Sequence, residues 1–303
     1  MRSVRGGPFD RDVSLHPVIE KNIQARYHLD WSLGKQFFHY LGPFNLDADG
    51  PRFVGGDGSG ATFGGVLTFD FGPSFKYRDL SVNDIIAESL PISVLLGTVA
   101  MIFAVSLGLT AGVLSSLRRG SGLDLAMRLT ATMGIALPNF VIAGFLVIIF
   151  VFDLGLLPVA GWGTLKDMLL PSFALGLPFA AYIARLTRTG MLEVLSHDYI
   201  RTAHAKGLPA KTVLLRHAIK GGILPVVSYL GPATAGILTG SLVIERIFLI
   251  PGTGSHFINS ALARDYTLAM GVTILYTVLV YTLNTLVDFA YTLLDPRISL
   301  EDH

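Results

Sequence analysis

Cysteine is absent from the 303 residues. That excludes disulfides, thiolate metal sites, iron–sulfur clusters and a cysteine nucleophile, though it says nothing about redox compartment. Charge is scarce as well: Asp, Glu, Lys and Arg make up 15% of the chain, against about 25% in an ordinary soluble domain. The net charge of +1 gives no basis for a nucleic-acid surface or an acidic tail. What is plentiful is apolar: 51% of residues are hydrophobic and the mean hydropathy is +0.57. These proportions exclude a water-soluble globular protein and point to a polytopic membrane protein.

Windows without Asp, Glu, Lys or Arg locate the spans. Ser89–Leu117 has 29 such residues, Leu129–Phe152 has 24, Met168–Ala184 has 17, Gly221–Ile244 has 24 and Tyr266–Val287 has 22. A hydrocarbon core of about 30 Å needs about 20 helical residues, so four windows suffice outright. The third is short and holds Pro171 and Pro178, which by itself also fits a buried core helix. The charge pattern below requires it as a span. The expectation is an all-α membrane domain over 85–298 with five spans, about 89–117, 129–152, 168–187, 221–245 and 266–290. Pro138, Pro178, Pro225 and Pro232 mark kinks or helix starts, where neighbours must satisfy freed backbone groups.

Lys and Arg in the connecting loops set the orientation. The first loop carries Arg118, Arg119 and Arg128; the third carries Arg185, Arg188, Arg201, Lys206, Lys211, Arg216 and Lys220. The second and fourth hold only Lys166, Arg246 and Arg264. The bias predicts that the first and third loops and the C-terminus face the cytoplasm, leaving residues 1–84 outside it. That flank carries nine basic and ten acidic residues and begins with no apolar signal segment. The expectation that follows is an additional, upstream span. Within the flank, Val18, Ile19, Ile23, Tyr27 and Leu29 predict a helix in His16–Tyr40. The Gly- and Asp-rich stretch near 42–65 reads as a flexible loop: Gly56-Asp57-Gly58-Ser59-Gly60 lacks the Gly-Lys-Ser/Thr of a phosphate loop. If ATP drives this protein, another chain binds it.

The third loop, about 189–220, is long, basic and apolar in patches. Met191–Lys206 places Leu192, Leu195, Tyr199, Ile200 and Ala203 on one helical face. Gly207 suits the position just past a helix end and Pro209 the first turn of another, whose apolar side is Val213, Leu214 and Ala218. Two short helices would form a compact knob, which fits either a membrane-surface element or a docking element for a cytoplasmic partner. His197, His204 and His217 lack metal-ligand spacing and a completing carboxylate, so no metal site is expected.

Tyr199-Ile200-Arg201-Thr202-Ala203-His204-Ala205-Lys206-Gly207-Leu208-Pro209, with Leu215-Arg216-His217-Ala218 and Ile223-Leu224-Pro225, resembles the EAA loop of ABC-importer permeases, in the form of the peptide-importer branch. Asp70-Phe71-Gly72-Pro73-Ser74-Phe75 is similar to the segment before the first conserved span of oligopeptide permeases. Val243-Ile244-Glu245-Arg246-Ile247-Phe248 through Pro251-Gly252-Thr253-Gly254 resembles their outer loop, and Asp295-Pro296-Arg297 their C-terminal signature. The likeness covers about 8–40 and 69–298 and is nearest to the first of two oligopeptide permease subunits. The family has six spans, and Arg2–Pro8 looks like the segment that follows its N-terminal one. The stretch near 42–65 stands as an insertion. Arg201 replaces the leading Glu of the general motif, as in peptide-type members.

The resemblance implies a type I ABC importer permease that pairs with a homologous second permease. Two cytoplasmic ATPase subunits would carry ATP and Mg, an extracytoplasmic binding protein would deliver peptide, and this chain would bind no cofactor and no nucleic acid. It implies residence in a bacterial inner membrane among lipid. ATPase coupling falls to Tyr199, Arg201, Thr202, Ala203, Lys206, Gly207, Leu208, Pro209, Arg216 and His217. Glu245, Arg246, Pro251, Gly252 and Gly254 are candidates for an outer gate or binding-protein contact, or ordinary interfacial residues. Asn284 and Asp288, four apart on one helical face, suit a pathway position or a helix-end interface charge. Nickel or another small solute is the alternative cargo. A secondary transporter would favour buried charge pairs, absent from these windows, and Gly254-Ser255-His256 makes a poor hydrolase because adjacent Ser and His do not form a nucleophile–base pair.

Overall fold

The computed structural model describes residues 31–42, 65–77 and 80–294. The Gly-rich stretch, Arg2–Pro8, Asp295-Pro296-Arg297 and most of His16–Tyr40 lie outside the described residues. The end of that last segment forms α1 (Leu33–Leu41). The main helices are α2 (Val82–Leu117), α3 (Gly122–Ala136), α4 (Asn139–Val147), α5 (Leu165–Leu195), α6 (Asp198–Ala205), α8 (Leu224–Ile247), α9 (Thr253–Leu262) and α10 (Tyr266–Leu294). Between α6 and α8 lies α7, built from abutting short segments, Ala210–Thr212, π-helical Val213–Ala218 and Ile219–Gly222. Helices α2, α5, α8 and α10 are each long and apolar enough to cross a bilayer.

The second charge-free window is broken at Pro138, one of the prolines expected to mark a kink or helix start. Helices α3 and α4 meet at a 109° bend, and α4 runs into a π-helical stretch, Ile148–Asp153. Pro138 explains the break: it has no N–H to give to the preceding turn, and it holds Leu137 extended (φ −84°, ψ 130°). Counted as one span, the pair brings the total to five.

Helix starts follow from local chemistry. Ser81 and Asp84 form a reciprocal cap on α2: the Asp84 amide donates to Ser81 Oγ (3.1 Å) and the Ser81 amide to Asp84 Oδ2 (2.9 Å). Thr164 and Asp167 do the same on α5.

The chain divides into two compact units. In the larger, Ile92–Gly254 with Tyr276 onward, α5 is the centre: 56% of its apolar window is buried, against 17% for α10. Leu96, Ala100, Ile142, Leu175, Ile237, Ile244 and Phe248 form the main core there. Helix α2 runs alongside α5 on small residues at four-residue spacing, Ala100, Ala104, Gly108 and Gly112 against Gly176, Ala180 and Ala184. A methyl built at Gly112 would lie 2.5 Å from Thr187 Cβ and 2.6 Å from the Ala184 carbonyl oxygen; at Gly176 it would lie 2.5 Å from the Ala100 carbonyl. Without a hydrophobic drive between helices in lipid, such backbone proximity supplies the association.

In the smaller unit, the described residues up to Pro91 with Ser255–Leu275, the segment 70–77 folds onto the start of α10. Asp265 is 1% exposed, and its carboxylate accepts from Ser74 Oγ (2.5 Å) and the Phe75 and Lys76 amides (3.1 and 3.3 Å). It also caps α10 through the Leu268 amide (3.2 Å) and Thr267 Oγ1 (3.0 Å). Phe71 and Val82 pack on Gly271, where a methyl would lie 2.6 Å from Val82 Cγ1.

Candidate functional site

Helix α5 does not stop where its apolar window stops. It continues to Leu195 and presents Met191 and Val194, against which Ile200, Ala203, Val213 and Ala218 pack into a small separate core. The helix expected over Met191–Lys206 is broken at Ser196–His197. His197 turns to an extended conformation (φ −73°, ψ 149°) and Asp198 begins α6, a favourable place for an acid at a helix N-terminus. The inward face therefore shifts. Met191, Val194, Ile200 and Ala203 are buried, whereas Tyr199, expected on that face, is 47% exposed.

Gly207 ends α6 as the sequence predicts. At φ +76° its amide donates to the His204 carbonyl (2.9 Å) and the Leu208 amide to the Ala203 carbonyl (3.3 Å), the paired bonds of a Schellman ending. Nothing lies within 4 Å of where its Cβ would stand, so the demand for glycine is conformational. Pro209 caps α7 from just outside it. The far end of α7 crosses α5 backbone to backbone: a methyl at Gly190 would lie 2.4 Å from the Gly222 carbonyl oxygen.

The result is a helical knob with an exposed rim. Tyr199, Arg201, Thr202, Lys206, Gly207, Leu208, Pro209 and Arg216 are exposed, and His217 is half-buried. Ala203, at 6% exposure, is a packing residue of the knob and does not form part of its rim. Arg201 reaches Asp198 at 3.5 Å, but both side chains are largely in solvent, where such a pair contributes little. The rim offers cations (Arg201, Lys206, Lys211, Arg216) and apolar contacts (Tyr199, Leu208, Leu215), a mixture suited to a protein surface. Among the described residues no three His, Asp or Glu side chains come together as a metal set.

The outer-loop candidates form a second constellation. Glu245 is fully buried and Arg246 exposed. Two residues past the end of α8, Leu249 stands at φ 52°, an unfavourable conformation for a leucine. The chain then folds back so that Gly252 and Gly254 lie on the Glu245 carboxylate. A methyl at Gly252 would stand 2.4 Å from Glu245 Oε2 and 2.6 Å from Ser93 Oγ, and Ser93 Oγ accepts from the Thr253 amide (2.9 Å). Pro251 is exposed. Asn284 Oδ1 is buried and accepts no hydrogen bond from the described residues. The side chain of Asp288 lies outside them.

Sequence reasoning passed over Asp124, Arg188 and Asp265. The Arg188 guanidinium grips Asp124 with two bonds (Nε to Oδ1 2.8 Å, the second nitrogen to Oδ2 3.0 Å). Ser115 Oγ and the Gly120 amide donate to the same carboxylate. Arg188, Ser115 and Gly120 thus surround the carboxylate with four donated hydrogen bonds. A signal existed: Ser121-x-x-Asp124 has the spacing of a helix cap, and Asp265 directly precedes an apolar window.

Solved structures share this architecture. The inward-facing MetNI methionine ABC transporter aligns with a TM-score of 0.60 at 16% identity, over 70% of this chain and 96% of the solved one. An amino acid ABC transporter aligns at 0.55 and 17%, over 69% and 94%. The fold is thus that of a type I ABC importer transmembrane domain. At the sequence level, the family described as binding-protein-dependent transport system inner membrane component matches residues 104–300, and the chain belongs to that family. Its relatives include the oligopeptide transport system permease protein OppB of Haemophilus influenzae, 44% identical over 98% of this chain and 91% of the relative. OppB of Escherichia coli K12 is 45% identical over the same shares. The dipeptide transport system permease protein DppB of Bacillus subtilis is 42% identical over 99% and 90%.

Proposed function

We propose that this chain is a permease subunit of an ATP-driven importer of oligopeptides or dipeptides. A homologous second permease completes the pathway, two ATPase subunits dock on the 189–220 knob from the cytoplasm, and an extracytoplasmic binding protein delivers the peptide. ATP and Mg act on the ATPases. The C-terminus is cytoplasmic, on the side of the basic loops. The observation that carries the reading is the knob: a basic, partly apolar rim held on its own core at the end of the most buried helix, in a chain whose relatives bear peptide-permease names.

In this mechanism ATP-driven closure of the ATPases moves the knob. Because α5 runs unbroken from the bundle centre into it, the movement biases the bundle between inward- and outward-facing states. No covalent chemistry occurs on this chain. Gly207→Val forces a β-branched residue into a left-handed conformation costing about 1–2 kcal/mol, paid locally because the position is open. The expected outcome is an inserted, assembled complex that hydrolyses ATP but accumulates little labelled peptide in reconstituted vesicles. Normal uptake would remove Gly207 from the coupling path, and wild-type vesicles that hydrolyse ATP without accumulating peptide would refute the peptide reading.

A further inference from the structure

The Asp124–Arg188 pair lies outside the knob, yet the geometry gives it a specific place in coupling. Asp124 is 1% exposed and gathers donors from two helices and a turn: Ser115 near the end of α2 (2.5 Å), the Gly120 amide of the following turn (3.0 Å) and Arg188 of α5 (2.8 and 3.0 Å). Its own amide is capped by Ser121 Oγ (3.2 Å), so the residue that Arg188 grips lies in the first turn of α3. Arg128 stands 3.8 Å away with its side chain half in solvent and adds little to the grip.

Arg188 precedes, on one rigid helix, the two residues that seat the knob, Met191 and Val194. Just past it Gly190 meets the Gly222 carbonyl at backbone distance. A displacement of the knob therefore reaches α5 through Met191 and Val194 and the end of α2 through Val113, which packs on the knob's core; the polar tie nearest to both is the guanidinium. A planar fork held by two bonds transmits direction as well as distance, which a single ammonium contact does not. Resting on the importer reading above, we infer that Asp124–Arg188 is the joint through which motion of the knob is passed from α5 to the α2–α3 turn. Arg188 and Asp124 are thus positioning residues that set how much peptide moves per ATP hydrolysed. Removing the fork leaves the knob, its core, its rim and the Gly108–Gly112 seam in place but frees the turn and the start of α3 from the movement of α5.

The test uses the complete importer in vesicles with ATP supplied on the knob side. Accumulated peptide and released phosphate are measured on the same preparation, for the wild type, Arg188→Gln and Arg188→Lys. Coupling between distant sites is typically worth about 5- to 150-fold. Arg188→Gln is expected to keep ATP hydrolysis within about twofold of wild type while import per ATP falls about tenfold or more. Arg188→Lys, which keeps the charge but not the fork, falls in between. A wild-type ratio in Arg188→Gln overturns the inference, and so does a proportional fall of import and hydrolysis, the mark of a merely structural pair. If Arg188→Gln does not assemble, Arg188→Lys decides: a wild-type ratio, or failure to assemble, also overturns it. Failure of the importer reading is distinguishable, since it appears as absent peptide accumulation in the wild type.

Discussion

The α2–α5 seam makes a quantitative demand on Gly108 and Gly112. A methyl built at Gly108 lies 2.6 Å from Ile183 Cγ2, and at Gly112 it lies 2.5 Å from Thr187 Cβ; ordinary contact begins at 3.4 Å. Alanine thus requires the helices to part by 0.8 or 0.9 Å, and the nearest atoms include the Ala180 and Ala184 carbonyl oxygens, which cannot rotate aside. Overpacking of this kind costs about 1–3 kcal/mol, while replacing glycine by alanine inside a helix returns about 1 kcal/mol. The net expectation for Gly108→Ala or Gly112→Ala is a loss of about 0–2 kcal/mol. The double variant should lose less than the sum, because one separation relieves both sites. Gly144 in α4 supplies the control: nothing lies within 4 Å of its built methyl, so Gly144→Ala should gain the propensity term alone. The assay is thermal unfolding of the detergent-purified protein, where 1 kcal/mol corresponds to about 2–4 °C. If Gly112→Ala melts at or above the temperature of Gly144→Ala, close backbone approach does not hold this seam.

Asp265→Ala takes the acceptor from Ser74 Oγ and from the Phe75 amide, at about 1–3 kcal/mol for a buried donor left unsatisfied, while the Lys76 amide keeps Ser74 Oγ (3.2 Å). Amide hydrogen exchange in residues 70–77 should accelerate about tenfold or more, and unchanged exchange would mean that the segment is held otherwise. His256, in α9 between the ends of α8 and α10, has its pKa lowered from the ordinary 6.5 by burial, which together with Lys76 outweighs the opposing pull of Glu88. A lowered pKa means that the fold favours neutral imidazole. Its contribution is full above pH 6.5 and is lost as pH falls through the lowered value. Melting at pH 5.5 should then fall below that at pH 7.5, and His256→Gln should flatten the difference; an unaltered pH dependence in that variant would refute the assignment.

How much of this was legible in sequence depended on whether the signal was periodic or relational. Four of the five charge-free windows coincide with single long helices because lipid allows one way to satisfy a backbone, and the run of apolar residues measures it. Gly207 was legible because a positive φ is a local property: the glycine stands just past α6, where the Schellman bonds need it. The 109° bend at Pro138 was half visible, since proline announces a break but not its angle. The break at Ser196–His197 was missed because Leu192, Leu195, Tyr199, Ile200 and Ala203 fit one helical face with no breaker among them. The knob's core instead selected Met191 and Val194 from one helix and Ile200 and Ala203 from the next.

Asp124 shows the limit most sharply. By spacing, Ser121-x-x-Asp124 matches the pairs Ser81–Asp84 and Thr164–Asp167, both of which close on their own helix starts. The Asp124 carboxylate does not return to the Ser121 amide; it accepts from Gly120, Ser115 and Arg188. No local rule separates the three pairs, because the difference lies in a cation 64 residues away. The fold brings that cation to the same end of the bundle by running α2 and α5 side by side in the same direction, so that Ser115, Asp124 and Arg188 meet. Buried charge in a membrane domain is costly unless paired, so once the helices are placed, Arg188 has one acidic partner within reach of a two-bond grip. The coupling residues on the rim are thus readable one at a time from the sequence, whereas the joint beneath them exists only as a pair and becomes readable when the bundle is assembled.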